Sequence, residues 1–147
     1  MKVVIQKSGP ASVMIDGKVH AEIKRGLVIL LGITNDDTKD DIEYLVEKIS
    51  NLRLFEEAEK HFEKSIIDAR AEALVISQFT LYAGVKNGRR PDFAQAAKPE
   101  IAKPIYNEFV AALKAKGLEV KTGEFGAMME VKLINEGPIT IIIDSKI

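Results

Sequence analysis

The stretch "LVILLGI", residues 27–33, runs seven residues without a charge or a polar side chain. A strand with one wet face alternates apolar and polar residues, so a short unbroken run of this kind suits a strand covered on both faces. The fold has to be built around that strand. On its N-terminal side "KVVIQK" (2–7) alternates and breaks at "SGP". "SVMI" and "KVHAEI" (18–23) follow as the arms of a hairpin closed by Asp16-Gly17, a pair that tolerates positive φ. On its C-terminal side "TKDDIEYLVEKISNL" (38–52) places Ile42, Leu45, Val46, Ile49 and Leu52 at helical spacing, with Thr38 and Asp41 as a capping-box start.

The segment "FEEAEKHFEKSIID" (55–68) shows no sustained period and is expected to loop over the surface, whereas "EALVISQFTLY" (72–82) reads as a further strand. A second helix is expected to begin near Pro99 to Pro104, to turn Ile105, Phe109, Val110 and Leu113 inward, and to stop at Gly117 after Lys114 and Lys116. Two last strands, "MEVKLI" (129–134) and "ITIIID" (139–144), flank "NEGPIT" (135–140). These elements describe one α+β domain over residues 1–147, without a repeat or a long linker.

Composition narrows the chemistry. The absence of cysteine removes disulfides, thiolate catalysis and thiolate metal sites, and fits a cytosolic protein. The first twenty residues alternate and hold no long apolar core, so neither a signal peptide nor a membrane span is expected. With 21 basic and 22 acidic residues the net charge indicates no partner, and any nucleic-acid contact has to come from a local patch. His20 and His61 fall in a hairpin and a charged loop with no metal-ligand spacing, and no phosphate loop or dinucleotide fingerprint occurs. If the chain is an enzyme, its backbone or its substrate must carry much of the work.

Two features hold both a bland and a functional reading. "VISQFTLYAGVKNGRRPDF" is either a strand end with a solvated turn, or aromatic stacking surfaces (Phe79, Tyr82) beside a phosphate-holding loop (Lys86, Arg89, Arg90) suited to single-stranded nucleic acid. "NEGPIT" is either a four-residue hairpin loop, or a cis Gly-Pro element presenting two backbone carbonyls to a ligand. A third possibility makes Thr80 a covalent nucleophile with a lysine or terminal amine as base.

"SQFTLYA" (77–83), "GRRPDF" (88–93), "FGAMM" (125–129) and "NEGPIT" together resemble the D-aminoacyl-tRNA deacylase family. The likeness runs from "VVIQ" through "NLRLFE" to "IDS", across essentially the whole chain. It implies a mostly antiparallel, barrel-like β core with two main helices, assembled as a homodimer whose active sites take parts from both subunits. The substrate it implies is the acceptor end of an aminoacyl-tRNA carrying a D-amino acid, or glycine mischarged on tRNA, in cytoplasmic proofreading of translation. Catalytic positions are then Ser77, Gln78, Phe79 and Thr80, with the Phe79 N–H as the oxyanion-stabilising amide. Gly137 and Pro138 form the cis element that reaches the partner's pocket, and Phe125 and Met129 lie near the terminal adenosine. No metal or organic cofactor is implied. Attack on the ester is assigned largely to water assisted by the ribose 2′-hydroxyl.

The chain departs from the family pattern at several positions. Lys7 stands where an arginine is usual near the Gly-Pro loop, and lysine cannot reproduce a planar two-pronged contact. Phe62-Glu63 replaces Met-Asn and Arg70-Ala71 replaces Gly-Gly, which points to a changed loop over the pocket. Glu136 and Ile139 are milder changes.

Overall fold

The unbroken apolar run is the middle strand of the main sheet. In the computed structural model, which covers residues 1–147, β4 (Gly26–Gly32) lies antiparallel to β1 (Lys2–Ser8) and parallel to β7 (Glu72–Ser77). The five-stranded order is β10-β1-β4-β7-β8, with β8 at Glu119–Thr122 and β10 at Asn135–Asp144. Side chains of β4 divide between the two faces as the run suggests. Leu27, Ile29 and Leu31 join the helix-side core, while Val28 and Leu30 join a second cluster on the opposite face. Each such buried aliphatic side chain contributes about 1.5–3 kcal/mol.

The second face is covered by a three-stranded sheet of order β3-β2-β9, formed by β2 (Ala11–Ile15), β3 (Lys18–Ile23) and β9 (Glu130–Lys132). Its hairpin closes as expected at Asp16 (φ 51°) and Gly17 (φ 76°). The helical layer holds α1 (Lys39–Asn51) and α2 (Pro99–Ala115). Asp41 Oδ2 accepts the Thr38 N–H at 2.8 Å and caps α1. Pro99 opens α2, where a missing N–H costs nothing, and Gly117 follows its end at φ +89°. Of the seven strand pairings five are antiparallel, so the fold is α+β with antiparallel pairing dominant.

Three expectations need correction. Residues 55–68 do not simply loop: β5 (Phe55–Glu57) and β6 (Lys60–Lys64) form a hairpin. Its turn uses Ala58 at φ +53° rather than a glycine, and β6 is exposed on both faces, so neither turn chemistry nor alternation announces it. The strand from residue 72 ends at Ser77, and Phe79–Tyr82 is a 3₁₀ turn. Gln78 donates the last sheet hydrogen bond, to Leu31 O at 2.8 Å, before the chain folds across β4. Finally, "NEGPIT" is not a hairpin loop. The strands beside it are not partners: β9 pairs with β2, and β10 pairs with β1 through the motif itself.

Candidate active site

The C-terminal end of β7 opens into a cavity of about 620 Å³, well within the size range of small-molecule sites. Glycines behind its lining let the walls pack closely. A Cβ on Gly32 would stand 2.9 Å from Leu81 Cβ and 3.2 Å from Gln78 O, so only a residue without a side chain lets the 3₁₀ turn lie on β4. Behind the lining residue Met129, a Cβ on Gly123 would meet Met129 Sδ at 2.5 Å, so a side chain there would displace the methionine. Phe125 packs against Tyr106 at 5.7 Å between ring centroids, and the Tyr106 hydroxyl donates to Val75 O at 2.9 Å. Burial pushes the Tyr106 phenol up to about 12, against an opposing hydrogen bond with Thr122, so Tyr106 is a neutral support behind Phe125 at ordinary pH.

Ser77, Gln78, Phe79, Phe125 and Met129 all line this cavity. Thr80 does not line it, but its Oγ1 accepts a hydrogen bond from Gln78 Nε2 at 2.5 Å and so braces a residue that does. Phe79 is the first residue of the 3₁₀ turn, and its N–H therefore has no acceptor inside the turn. No ionisable side chain lines the cavity. What it offers is an apolar enclosure, one hydroxyl, one carboxamide and a backbone donor, an arrangement that can hold and polarise a carbonyl but supplies no side-chain base. His20 and His61 are both exposed and away from it. Sequence reasoning missed Phe93, Ala96 and Ala97 as wall residues. Phe93 packs edge-on to Phe79 at 5.0 Å, and only the "GRRPDF" context gave a hint of it.

Gly137 and Pro138 lie elsewhere. They are exposed, joined by a cis peptide bond, and absent from the cavity of their own chain. Their placement follows from register: Ser8 pairs with Asn135 and Gln6 with Thr140, so two steps along β1 face five along β10 and residues 136–139 bulge out opposite Lys7. Asn135 closes the base of this bulge. Its Oδ1 accepts the Ile139 N–H at 3.1 Å and its Nδ2 donates to Thr140 Oγ1 at 2.8 Å. Asn135 stood inside the quoted motif without a role, and its amide is the feature that holds the bulge in shape.

Lys7 does not reach for this loop. Its buried ammonium pairs with Glu56 at 2.5 Å above the Phe55 ring, and Arg25 joins the same carboxylate. The hydrogen bond from Lys7, then one from the Glu56 backbone, and the charges of Arg25 and Lys7 outweigh desolvation and hold Glu56 down at about 2. A depressed carboxyl stabilises the fold above its ordinary value of 4.5 and loses that contribution as pH falls toward 2. Glu56→Gln is therefore expected to be less stable than wild type at about pH 6, with the gap closing by about pH 2. Urea midpoints at the two pH values check this, and a gap that persists in acid contradicts it. Phe62, Glu63, Arg70 and Ala71 line no part of the cavity, so those departures do not alter it. Arg70 sits at φ +51°, a conformation that suits the glycine usual at this position.

Comparison with known proteins places these features in context. The family model described as D-Tyr-tRNA(Tyr) deacylase matches residues 4–144. A D-aminoacyl-tRNA deacylase from Bacillus thuringiensis (strain Al Hakam) is 49% identical over 146 residues, covering 99% of this chain and 100% of that one. One from Chloroflexus aurantiacus (strain ATCC 29364 / DSM 637 / Y-400-fl) is 52% identical over 145 residues, covering 99% and 91%. Among solved structures, a c-Myc DNA unwinding element binding protein superposes with a TM-score of 0.92 at 42% identity, covering 98% of each chain. A probable eukaryotic D-amino acid tRNA deacylase shares the fold at a TM-score of 0.84 and 17% identity, covering 97% of each.

Proposed function

Because the chain belongs to the D-Tyr-tRNA(Tyr) deacylase family, whose members hydrolyse the ester of D-aminoacyl-tRNA, we propose that its cavity receives the terminal aminoacyl-adenosine and that chirality is read by the Gly137–Pro138 bulge of a second copy. One observation carries this reading: the bulge is braced, exposed, and outside the cavity of its own chain. It sits on β10, an edge strand whose neighbourhood exposes Ile134 (61%) and Ile142 (72%), apolar surface of the kind covered by a second subunit. In the homodimer the edge strands and paired sheets make the barrel-like core that the family resemblance implies. Each active site is then shared.

The chemistry follows from what the cavity holds. Water attacks the ester carbonyl carbon, and the ribose 2′-hydroxyl relays its proton, accepting it as it passes its own to the departing 3′ oxygen, since the residues themselves offer no base. The oxyanion is stabilised by the Phe79 N–H, with Gln78 held in place by Thr80. The bond to the 3′ oxygen breaks, that oxygen is reprotonated, and the free D-amino acid and tRNA leave. Once the ammonium and ester of a substrate are fixed, its side chain has two directions open, and a backbone wall closes the one an L-residue needs. Glycine has no side chain to reject and is cleaved as well.

The test is hydrolysis of matched D-tyrosyl-, L-tyrosyl- and glycyl-tRNA by the wild-type protein with a chelator present. Rapid loss of the D- and glycyl esters with the L-ester spared is the expected result. Equal loss of D- and L-esters would refute the backbone wall. A slow rate on a substrate with a 2′-deoxy terminal adenosine would support the role given to the hydroxyl.

A further inference from the structure

We propose that the loop carrying Lys86, Arg89 and Arg90 is a phosphate clamp for the single-stranded 3′ end of the tRNA, resting on the reading of the cavity as the aminoacyl-adenosine site. The loop is a closed unit. Gly84 N–H donates to Asp92 O at 2.6 Å and Asp92 N–H donates back to Gly84 O at 2.8 Å, so residues 85–91 project as one piece from a two-bond base. Asp92 Oδ1 accepts the Ala94 N–H at 2.8 Å and turns the chain from that base into the cavity wall. The next residue, Phe93, packs on Phe79, and both line the cavity. The other stalk leads back through Ala83 to the 3₁₀ turn itself. Both feet of the loop therefore stand on the site.

Its charge is one-sided. Residues 85–91 carry three cations and no carboxylate. All three are exposed and none forms an ion pair within the chain. Gly88, at φ +72°, reverses the chain between Lys86 and the two arginines, and a Cβ there would find no heavy atom within 4 Å, so the tip stands clear in solvent. The cavity by contrast offers no cation at all. A terminal adenosine seated in it must direct its 5′ phosphate, and those that follow, out of the mouth. The loop rising from the mouth presents guanidinium groups, whose planar donors match phosphate oxygens. The apolar cavity holds the ester and the loop holds the strand.

Separating the two contributions requires substrates that differ only in phosphate. Arg89→Gln/Arg90→Gln and wild type are compared on a D-aminoacyl-adenosine without phosphate, on a D-aminoacyl cytidyl-cytidyl-adenosine carrying its phosphates, and on the full D-aminoacyl-tRNA. Wild-type cleavage of the phosphate-free ester reports the cavity reading independently of the loop. On the trinucleotide and the tRNA, the double variant is expected to lose kcat/KM, with the slope of log kcat/KM against log salt shallower by about 1.4, near 0.7 for each phosphate contact removed. On the phosphate-free ester the two proteins should match. An equal loss on all three substrates would overturn the clamp by showing that the loop acts through the wall. A loss confined to the full tRNA would overturn it by placing the contact on the duplex stem, and no loss anywhere would overturn it outright.

Discussion

Gly137→Ala is expected to lower kcat/KM on a D-aminoacyl-tRNA by about 100-fold, the cost of a displacement on the order of 1 Å in a positioning element, while the protein stays folded. The residue sits at φ +121°, which an L side chain rarely adopts. Its new Cβ would stand 2.7 Å from Ile139 Cγ1 and 3.0 Å from Ile139 N, the same N–H that Asn135 holds. The bulge cannot keep its shape under both pressures. Gly137 and Pro138 are exposed and Ile139 meets the helix-side core only as a half-buried residue at its margin, so the loss of stability should stay near 1–2 kcal/mol. Single-turnover hydrolysis of D- and L-esters, run beside a thermal melt, checks both halves. A variant with wild-type rate and wild-type selectivity would remove the bulge from the mechanism.

Gly26→Ala should act in the opposite way, damaging the fold before the site. At this position β4 and β7 run parallel, with Gly26 paired to Glu72. A Cβ built on Gly26 would fall on the Glu72 carbonyl, backbone against backbone, with no flexible side chain to move aside. The two central strands must part where both clusters depend on them. A destabilisation of about 3 kcal/mol or more is expected, lowering the melting temperature by roughly 10 °C. Gly17→Ala, strained in φ but meeting nothing within 4 Å, is the control for backbone conformation alone. If the two variants melt together, close strand approach is not why Gly26 is a glycine.

Much of this was legible in the residues themselves. An apolar run with no alternation had to be covered on both faces, and β4 is covered by helices on one side and a second sheet on the other. Asp16-Gly17 and the helical spacing of Ile42 to Ile49 were equally direct signals. What stayed hidden was decided by distant partners. The β5–β6 hairpin turns at Ala58 without a turn residue. The 3₁₀ turn after Ser77 keeps an apolar and polar mixture that mimics a strand, and it exists because Gly32 leaves room above β4. That residues 135–140 bulge within a strand, rather than join two, depends on β9 pairing with β2, a long-range choice with no local signature. The cavity residues from Ser77 to Phe79 were found through the family motifs, while Phe93 came into view only through its packing on Phe79.

The shared site is tested most directly by mixing two disabled proteins. Gly137→Ala spoils the bulge and leaves the cavity, whereas Ala127→Arg fills the cavity mouth and leaves the bulge. Each alone should be nearly inactive on D-tyrosyl-tRNA. Mixed and allowed to exchange subunits, they should recover about a quarter of wild-type activity, since half the dimers carry one chain of each kind and each of those holds one intact site. Activity no greater than the sum of the two separate proteins, with subunit exchange verified, would contradict a site built from two chains.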